Sequence, residues 1–261
     1  SQIKLSNCYS TILSTMSYPP EHIVNQSGPV GDLKINYGNE PDQIIEFYGD
    51  GKNSCVVVLV HGGFWRPTID RSHLQPLAKA LADTGFYVAL VEYRRVQGIP
   101  YQYLTDVLSA ISMLKNKKVI LFGHSAGGQL VVLAARKIDN CIGVIAASPV
   151  ADLVAGELEN LGDGAINLYL GGQAEQFQEL DPIKLSVPKC IVELIHSEND
   201  FIPKHVAKNY FDKHQANNAN LQFTLLKEAD HYTLIDPRGV GLAHLVSCLN
   251  KIKENAEKSV K

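Results

Sequence analysis

Apolar residues along most of this chain fall into short blocks that alternate between two spacings. Cys55-Val56-Val57-Val58-Leu59-Val60 is a continuous, largely β-branched run, and residues 87–93, 119–122, 141–147 and 190–196 look similar. Runs of this kind suit strands covered on both faces, as in a parallel sheet. Between them, apolar residues recur at i, i+3, i+4 and i+7, as at Leu74, Leu77, Ala78 and Leu81. That spacing predicts helices over 71–84, 101–115, 126–137 and 204–215. A further strand is expected at 221–226 and a closing helix at 241–256. Strand and helix alternate without a break, which predicts one α/β domain over 1–261. Its central sheet should be predominantly parallel, with helices on both faces.

Two stretches depart from that rhythm. Residues 1–54 are polar and turn-rich. Within them, 32–37 and 43–48 alternate around Gly38-Asn39-Glu40-Pro41-Asp42 and predict an opening antiparallel pair. Residues 151–181 carry Gly156, Gly162, Gly164, Gly171 and Gly172 between short apolar pieces, more chain than a simple crossover needs. They are expected to form a cap-like insertion over the carboxyl edge of the sheet, where ligands bind in open α/β sheets.

Composition narrows the class. The 261 residues are 45% hydrophobic and 20% charged, which excludes a disordered chain, a collagen-like repeat and a coiled coil. The net charge of −3 gives no general drive toward nucleic acid or an anionic membrane. Lys115-Asn116-Lys117-Lys118 reads as a solvated loop. No apolar run approaches the ~20 residues of a membrane-spanning helix. Cysteines stand at 8, 55, 141, 190 and 248, an odd number without a C-x-x-C pair. This argues against a disulfide framework and for a reducing compartment. Ser1-Gln2-Ile3-Lys4-Leu5 lacks signal-peptide anatomy, so a cytoplasmic location is expected.

The strongest chemical signal is Gly123-His124-Ser125-Ala126-Gly127, a match to G-x-S-x-G between a predicted strand and a predicted helix. A serine at such a turn is held in a strained conformation, its hydroxyl clear of the sheet near the positive end of the helix. Serine is a poor nucleophile without a base, and the base needs an orienting acid. On this scaffold the acid follows a later strand and the histidine comes after it. Asp200, after the strand at 190–196, is the expected acid. His231, after the strand at 221–226, is the expected base. Glu198 and Asp152 are rival acids, and Asp230 is expected to cap its own turn. His196 ends a strand and stands as a residue that lines the site.

His61-Gly62-Gly63-Phe64-Trp65 follows the first buried strand. A tetrahedral acyl intermediate needs donors already aimed at its oxyanion, and paired glycines let backbone amides approach closely. Gly62, Gly63, Phe64 and Ala126 are the expected donors, with His61 bracing the loop. Phe64 and Trp65 either wall a substrate pocket or form local core. His124 is taken with them as substrate-binding. Arg94 is expected to pair with a carboxylate. With no H-E-x-x-H and no clustered Cys and His, neither a metal nor an organic cofactor is expected.

Together these residues resemble the serine α/β-hydrolase superfamily, in the branch carrying H-G-G-x-W. That branch includes kynurenine formamidase-like and hormone-sensitive-lipase-like esterases. The resemblance runs from about Asp32 to the C-terminus. It rests on the loop at 61–65, Glu92-Tyr93-Arg94, the motif at 123–127, Ser148-Pro149-Val150-Ala151-Asp152-Leu153, Asp200 and Asp230-His231-Tyr232-Thr233-Leu234-Ile235. It implies an α/β-hydrolase fold, the triad Ser125, Asp200 and His231, and an oxyanion hole shaped by Gly62, Gly63 and Ala126. The activity it implies is cleavage of a small ester or aryl formamide through an acyl-enzyme, first an arylformamidase-like one. A short-chain carboxylesterase and a non-catalytic ligand-binding receptor on the same fold are the alternatives. The partner is a small-molecule ester or amide, with a homodimer left open.

Overall fold

In the computed structural model, which describes residues 26–258, the β-branched runs pair into one eight-stranded sheet. Cys8, His22 and the N-terminal pentapeptide lie outside the described residues. The strands are β1 (Leu33–Asn36), β2 (Ile44–Tyr48), β3 (Cys55–Val60), β4 (Tyr87–Val91), β5 (Lys118–His124), β6 (Cys141–Ala147), β7 (Ile191–Ser197) and β8 (Leu221–Leu226). Their order across the sheet is β1-β2-β4-β3-β5-β6-β7-β8. The opening pair is antiparallel, with Leu33 opposite Phe47, and β2 runs antiparallel to β4. All the other pairings are parallel. The turn chemistry at 38–42 therefore closes the hairpin that the alternation on either side of it predicts.

The central strands are buried on both faces because their side chains alternate into two separate cores. Val56, Val58 and Val60 of β3 face one way, and Val57 and Leu59 the other. The second face is covered by α1 (Gln75–Asp83), through Leu77, Ala78 and Leu81, and by α7 (Val240–Lys258), through Leu245, Leu249 and Ile252. The first is covered by α2 (Pro100–Ser112), α3 (Ala126–Ala135) and α6 (His205–His214). Every residue of α3 is buried, which is why Ala126-Gly127-Gly128-Gln129-Leu130-Val131-Val132-Leu133-Ala134-Ala135 has no polar stripe. The helix predicted over 71–84 starts as a single 3₁₀ turn, Arg71–Leu74, capped by Asp70 through Ser72 N–H. Pro76 has no N–H to continue that turn, so the α-helix begins afresh at Gln75.

Residues 151–181 leave the sheet as α4 (Leu153–Leu158) and α5 (Ala165–Leu170), followed by short 3₁₀ turns. The segment is tied back at several points. Arg66 donates to Gly162 O at 2.5 Å and Gly98 N–H to Leu168 O at 2.9 Å. Gln129 of α3 donates to Leu180 O at 2.8 Å, and Leu153 N–H to Asp181 Oδ1 at 3.0 Å. No helix of the described residues is long and apolar enough to cross a membrane.

The closeness of β6 to α7 depends on a missing side chain. A Cβ at Gly143 would stand 2.6 Å from Ile252 Cγ2. Gly143→Val should overpack that contact and cost about 1–3 kcal/mol. Thermal melting should register this as a drop of roughly 2–4 °C for each kcal/mol. An unchanged melting temperature would mean that α7 does not pack on β6 this tightly.

Candidate active site

Six strands end at one edge of the sheet, and each hands a candidate site residue to the loop that follows. Ser125 occupies the turn from β5 into α3 with φ 56° and ψ −118°, a conformation that L-residues rarely adopt. Neighbouring backbone holds it there. Ser125 N–H donates to Ala147 O at 2.8 Å, and Ser125 O accepts from Gly128 N–H at 2.9 Å. Glycine at 127 lets the turn press against the end of β3, since a Cβ there would lie 2.2 Å from Val60 O. The strained serine is thus locked by packing that no side chain could enter.

Asp200 and His231 follow β7 and β8, and their side chains meet: Nδ1 of His231 is 2.8 Å from Oδ1 of Asp200. The Asp200 side chain is only 1% exposed, and both of its oxygens are used. Oδ1 also accepts Ile202 N–H at 2.8 Å, and Oδ2 accepts the Ser148 hydroxyl at 2.5 Å. Burial alone would raise the carboxyl's pKa. The imidazole beside it, with the hydrogen bonds from His231 and Ser148, outweighs burial and holds it below the usual carboxylate value. A carboxylate fixed in this way keeps a proton on Nδ1 and leaves Nε2 as the basic nitrogen. Among the described residues the Ser125 hydroxyl has no hydrogen-bond partner, so the link from serine to imidazole is not closed. His124 brings the two loops together. Its Nε2 lies 2.7 Å from His231 O, and the two rings are 4.5 Å apart.

The rivals are occupied elsewhere. Glu198 accepts Glu228 N–H at 3.1 Å, and Asp152 caps α4 through Ala155 N–H at 2.9 Å. Asp230 accepts Tyr232 N–H at 2.9 Å and caps its own turn. His196 sits behind the acid, with Nε2 2.9 Å from Ile202 O.

The loop after β3 is anchored by a buried ionic cluster. His61 is fully buried, its Nε2 2.8 Å from Glu92 Oε1 and its Nδ1 2.8 Å from Gly62 O. Its ring stacks on Tyr93 at 4.5 Å, and the Tyr93 hydroxyl donates to His61 O at 2.7 Å. Glu92 also accepts Arg71 N–H at 2.9 Å and the Arg95 guanidinium. Beyond His61 the chain touches the Ser125 turn, for a Cβ on Gly62 would be 2.9 Å from Ser125 Cβ. Gly63, Phe64 and Trp65 then take three successive positive φ values of 111°, 53° and 55°. Among the described residues the amides of Gly63, Phe64 and Ala126 have no acceptor in the protein. Arg94 makes a two-point ion pair with buried Asp106 at 2.7 and 2.9 Å.

Trp65, for which pocket wall and local core were both open, and His124, taken as substrate-binding, are both buried. Trp65 is 1% exposed, with its face stacked on Tyr169 at 4.7 Å and its Nε1–H given to Gln129 at 3.0 Å. A buried indole needs a partner for its N–H, and this one has it inside the core, so Trp65 is core and not pocket wall. His124 lies beneath His231, 3% exposed, with burial pushing its pKa well below the ordinary value. It is a neutral brace, with no open face for a substrate. Phe64 is half-buried, and its ring lies 6.1 Å from that of Phe201, which in turn packs 4.2 Å from His231. Phe201 and Ser148 carry no catalytic motif of their own. Their signal was position alone: Phe201 follows the acid, and Ser148 follows the end of β6.

A family model described as the alpha/beta hydrolase family matches residues 57–182. No curated protein matches the chain in sequence. Among solved structures, esterase B from Lactobacillus rhamnosis, inhibited by a tributyrin phosphonate, superposes with a TM-score of 0.72 at 16% identity, over 99% of this chain and 96% of that one. An esterase/lipase from an uncultured bacterium gives 0.73 at 13%, over 95% and 97%. A putative thioesterase from Silicibacter sp. TM1040 gives 0.65 at 20%, over 85% and 88%.

The ionic cluster makes stability depend on pH. Burial works against an ionised Glu92, but His61 and Arg95 outweigh it and pull the pKa down from 4.5 to about 2. The folded-state pKa is depressed, so the stabilisation is full above 4.5 and is lost as pH falls toward 2. It amounts to roughly 3 kcal/mol at most. Urea denaturation from pH 6 to pH 3 should show an acid limb that is flattened in Glu92→Gln. Parallel curves for the two proteins would place the dependence elsewhere.

Proposed function

We propose that the chain is a serine hydrolase of the α/β-hydrolase superfamily, cleaving small esters or aryl formamides through an acyl-enzyme. The observation that carries this reading is the Asp200–His231 bond at 2.8 Å, made on the same sheet edge as a serine held at positive φ. His231 Nε2 takes the Ser125 proton as Oγ attacks the acyl carbonyl. The resulting imidazolium is stabilised by Asp200, which Ser148 and Ile202 N–H hold in place. The oxyanion settles against the amides of Gly63, Phe64 and Ala126, with Gly62 clearing the approach. Each such donor is worth about 2.7–4 kcal/mol of barrier. His231 then protonates the leaving group, and water repeats the sequence at the acyl carbon. The hydrogen bond from serine to imidazole, open in the free protein, tightens when substrate fills the site.

An arylformamidase-like activity is the first choice of substrate class. A formyl group needs little room on the acyl side, and Phe201, packed on His231, and Phe64 next to Phe201, both partly exposed, offer faces to an aryl leaving group. Residues 151–181 act as the cap, since Gly162 lies against Phe64 and its carbonyl is held by Arg66. The second reading is a short-chain carboxylesterase, favoured by the esterases among the structural neighbours. A binding module without catalysis is disfavoured because all three triad residue types are in place.

N-formylkynurenine assayed beside p-nitrophenyl acetate and butyrate separates the two substrate classes. Formamide turnover no better than background would leave the esterase reading. Ser125→Ala should bring turnover to background and abolish labelling by a fluorophosphonate probe. Asp200→Asn should lower kcat on the order of 10⁴-fold with the fold intact. Folded wild-type protein that resists the probe would favour the binding module.

A further inference from the structure

We propose that Cys141 and Cys190 form a reversible dithiol–disulfide site at the amino edge of the sheet, oxidised by small acidic disulfides of the glutathione class. Their sulfurs are 3.7 Å apart, although 49 positions separate them in the chain. Strict strand alternation would not have brought them together. Gly143 faces Ile252 of α7, and two residues back along a regular strand Cys141 would face the same way. The pairing of β5 with β6, however, jumps from Val119↔Cys141 to Ile120↔Gly143 and leaves Ile142 as an extra residue. That bulge turns Cys141 to the opposite face. Cys141 and Cys190 both pack against the core under α3, whereas Ile142 and Ile191 pack against the other core.

The geometry is close to that of a cystine. β6 and β7 are hydrogen-bonded neighbours, with Gly143 opposite Ile191. By the β6–β7 register Cys190 stands opposite Ile142, one residue along from Cys141, so with strands about 4.8 Å apart and a rise of about 3.3 Å per residue the two Cα atoms lie roughly 6 Å apart, inside the range of roughly 4.4–6.8 Å that disulfides span between Cα atoms. Closing the sulfurs to about 2.05 Å asks for side-chain rotation and not for movement of a strand. Both cysteines are partly exposed and line an open groove of about 970 Å³. Lys118, Arg136, Lys189 and Lys258 line the same groove against one acidic residue, Asp139, a balance that suits a negatively charged reagent.

The two thiols are not equivalent. The hydrogen bond between them raises Cys141, with burial adding to it, and the same bond lowers Cys190. Cys190 lies in the bend before β7, next to exposed Lys189, whereas Cys141 is paired within β6, so Cys190 is the attacking sulfur of the proposal. Its thiolate attacks a small disulfide RSSR, forming a mixed disulfide and releasing RS⁻. Cys141 then gives its proton to solvent and attacks Cys190 Sγ, expelling the second RS⁻. Two protein thiols are oxidised and one small disulfide is reduced to two thiols. Cys248 Sγ lies instead 3.7 Å from His244 Nε2, and burial pushes its pKa up to about 11.

Incubation of the whole folded chain with glutathione disulfide, then alkylation without reduction and peptide mapping, tests the assignment without reference to hydrolysis. The expected result is a Cys141–Cys190 cross-linked peptide, a free-thiol count lower by two, and full reversal by dithiothreitol. Cys141→Ser should trap glutathione on Cys190, and Cys190→Ser should leave Cys141 at least tenfold slower to react. An unchanged thiol count, a lasting glutathione adduct on Cys190 in the wild type, or a cross-link through Cys55 or Cys248 would each overturn the proposal.

Discussion

The arrangement rests on one steric constraint, the close approach of the β5–α3 turn to the end of β3. Ser125 keeps its unfavourable backbone conformation because Ala147 O and Gly128 N–H hold it from both sides, while Val60 and His61 carbonyls occupy the space beside Gly127. That packing also brings the His61–Gly62 loop against the serine. Strain at one residue and the placement of the facing amides are thus two results of one contact. A larger residue at 127 would push β3 and the serine turn apart together.

A second condition is the burial of charge behind the loop. Glu92 joins His61, Arg71 and Arg95, and Arg71 continues to Glu46, which is further bonded to Gln75 at 3.0 Å and Tyr48 at 2.9 Å. Such a cluster is a weak source of net stability, because desolvation offsets most of its attraction. Its value lies in direction. Removing one partner leaves uncompensated charge in the interior, so the cluster has few alternative geometries, and the loop it anchors inherits that rigidity. Asp200 is held on the same principle, with Ser148, Ile202 N–H and His231 around one carboxylate.

The two edges of the sheet divide the chemistry. The carboxyl edge gathers Ser125, Asp200, His231 and the glycine-rich loop, since all six parallel strands β3 to β8 deliver a loop there. The amino edge holds the Cys141–Cys190 pair, and its placement there depends on a one-residue bulge. Cys141 opens β6 and Cys190 immediately precedes β7, and the two strands run on to residues that meet at the other edge, β6 to Ser148 and β7 to Asp200.

Strand identity, helix spacing, the opening hairpin and the serine turn were legible in the residues themselves. Each depends on periodicity or on local backbone rules that act over a few positions. The Val-rich runs, Gly123 to Gly127 and the order Ser125, Asp200, His231 carry that information directly. What lies beneath the surface was not legible. Trp65 and Phe64 are adjacent and chemically alike, yet one stacks on Tyr169 in the core and the other faces Phe201. His124 braces the base from below, Ser148 supports an acid 52 positions away, and two cysteines meet across neighbouring strands. These outcomes depend on which distant side chain fills the space opposite, and spacing along a chain carries no record of that until the sheet has assembled.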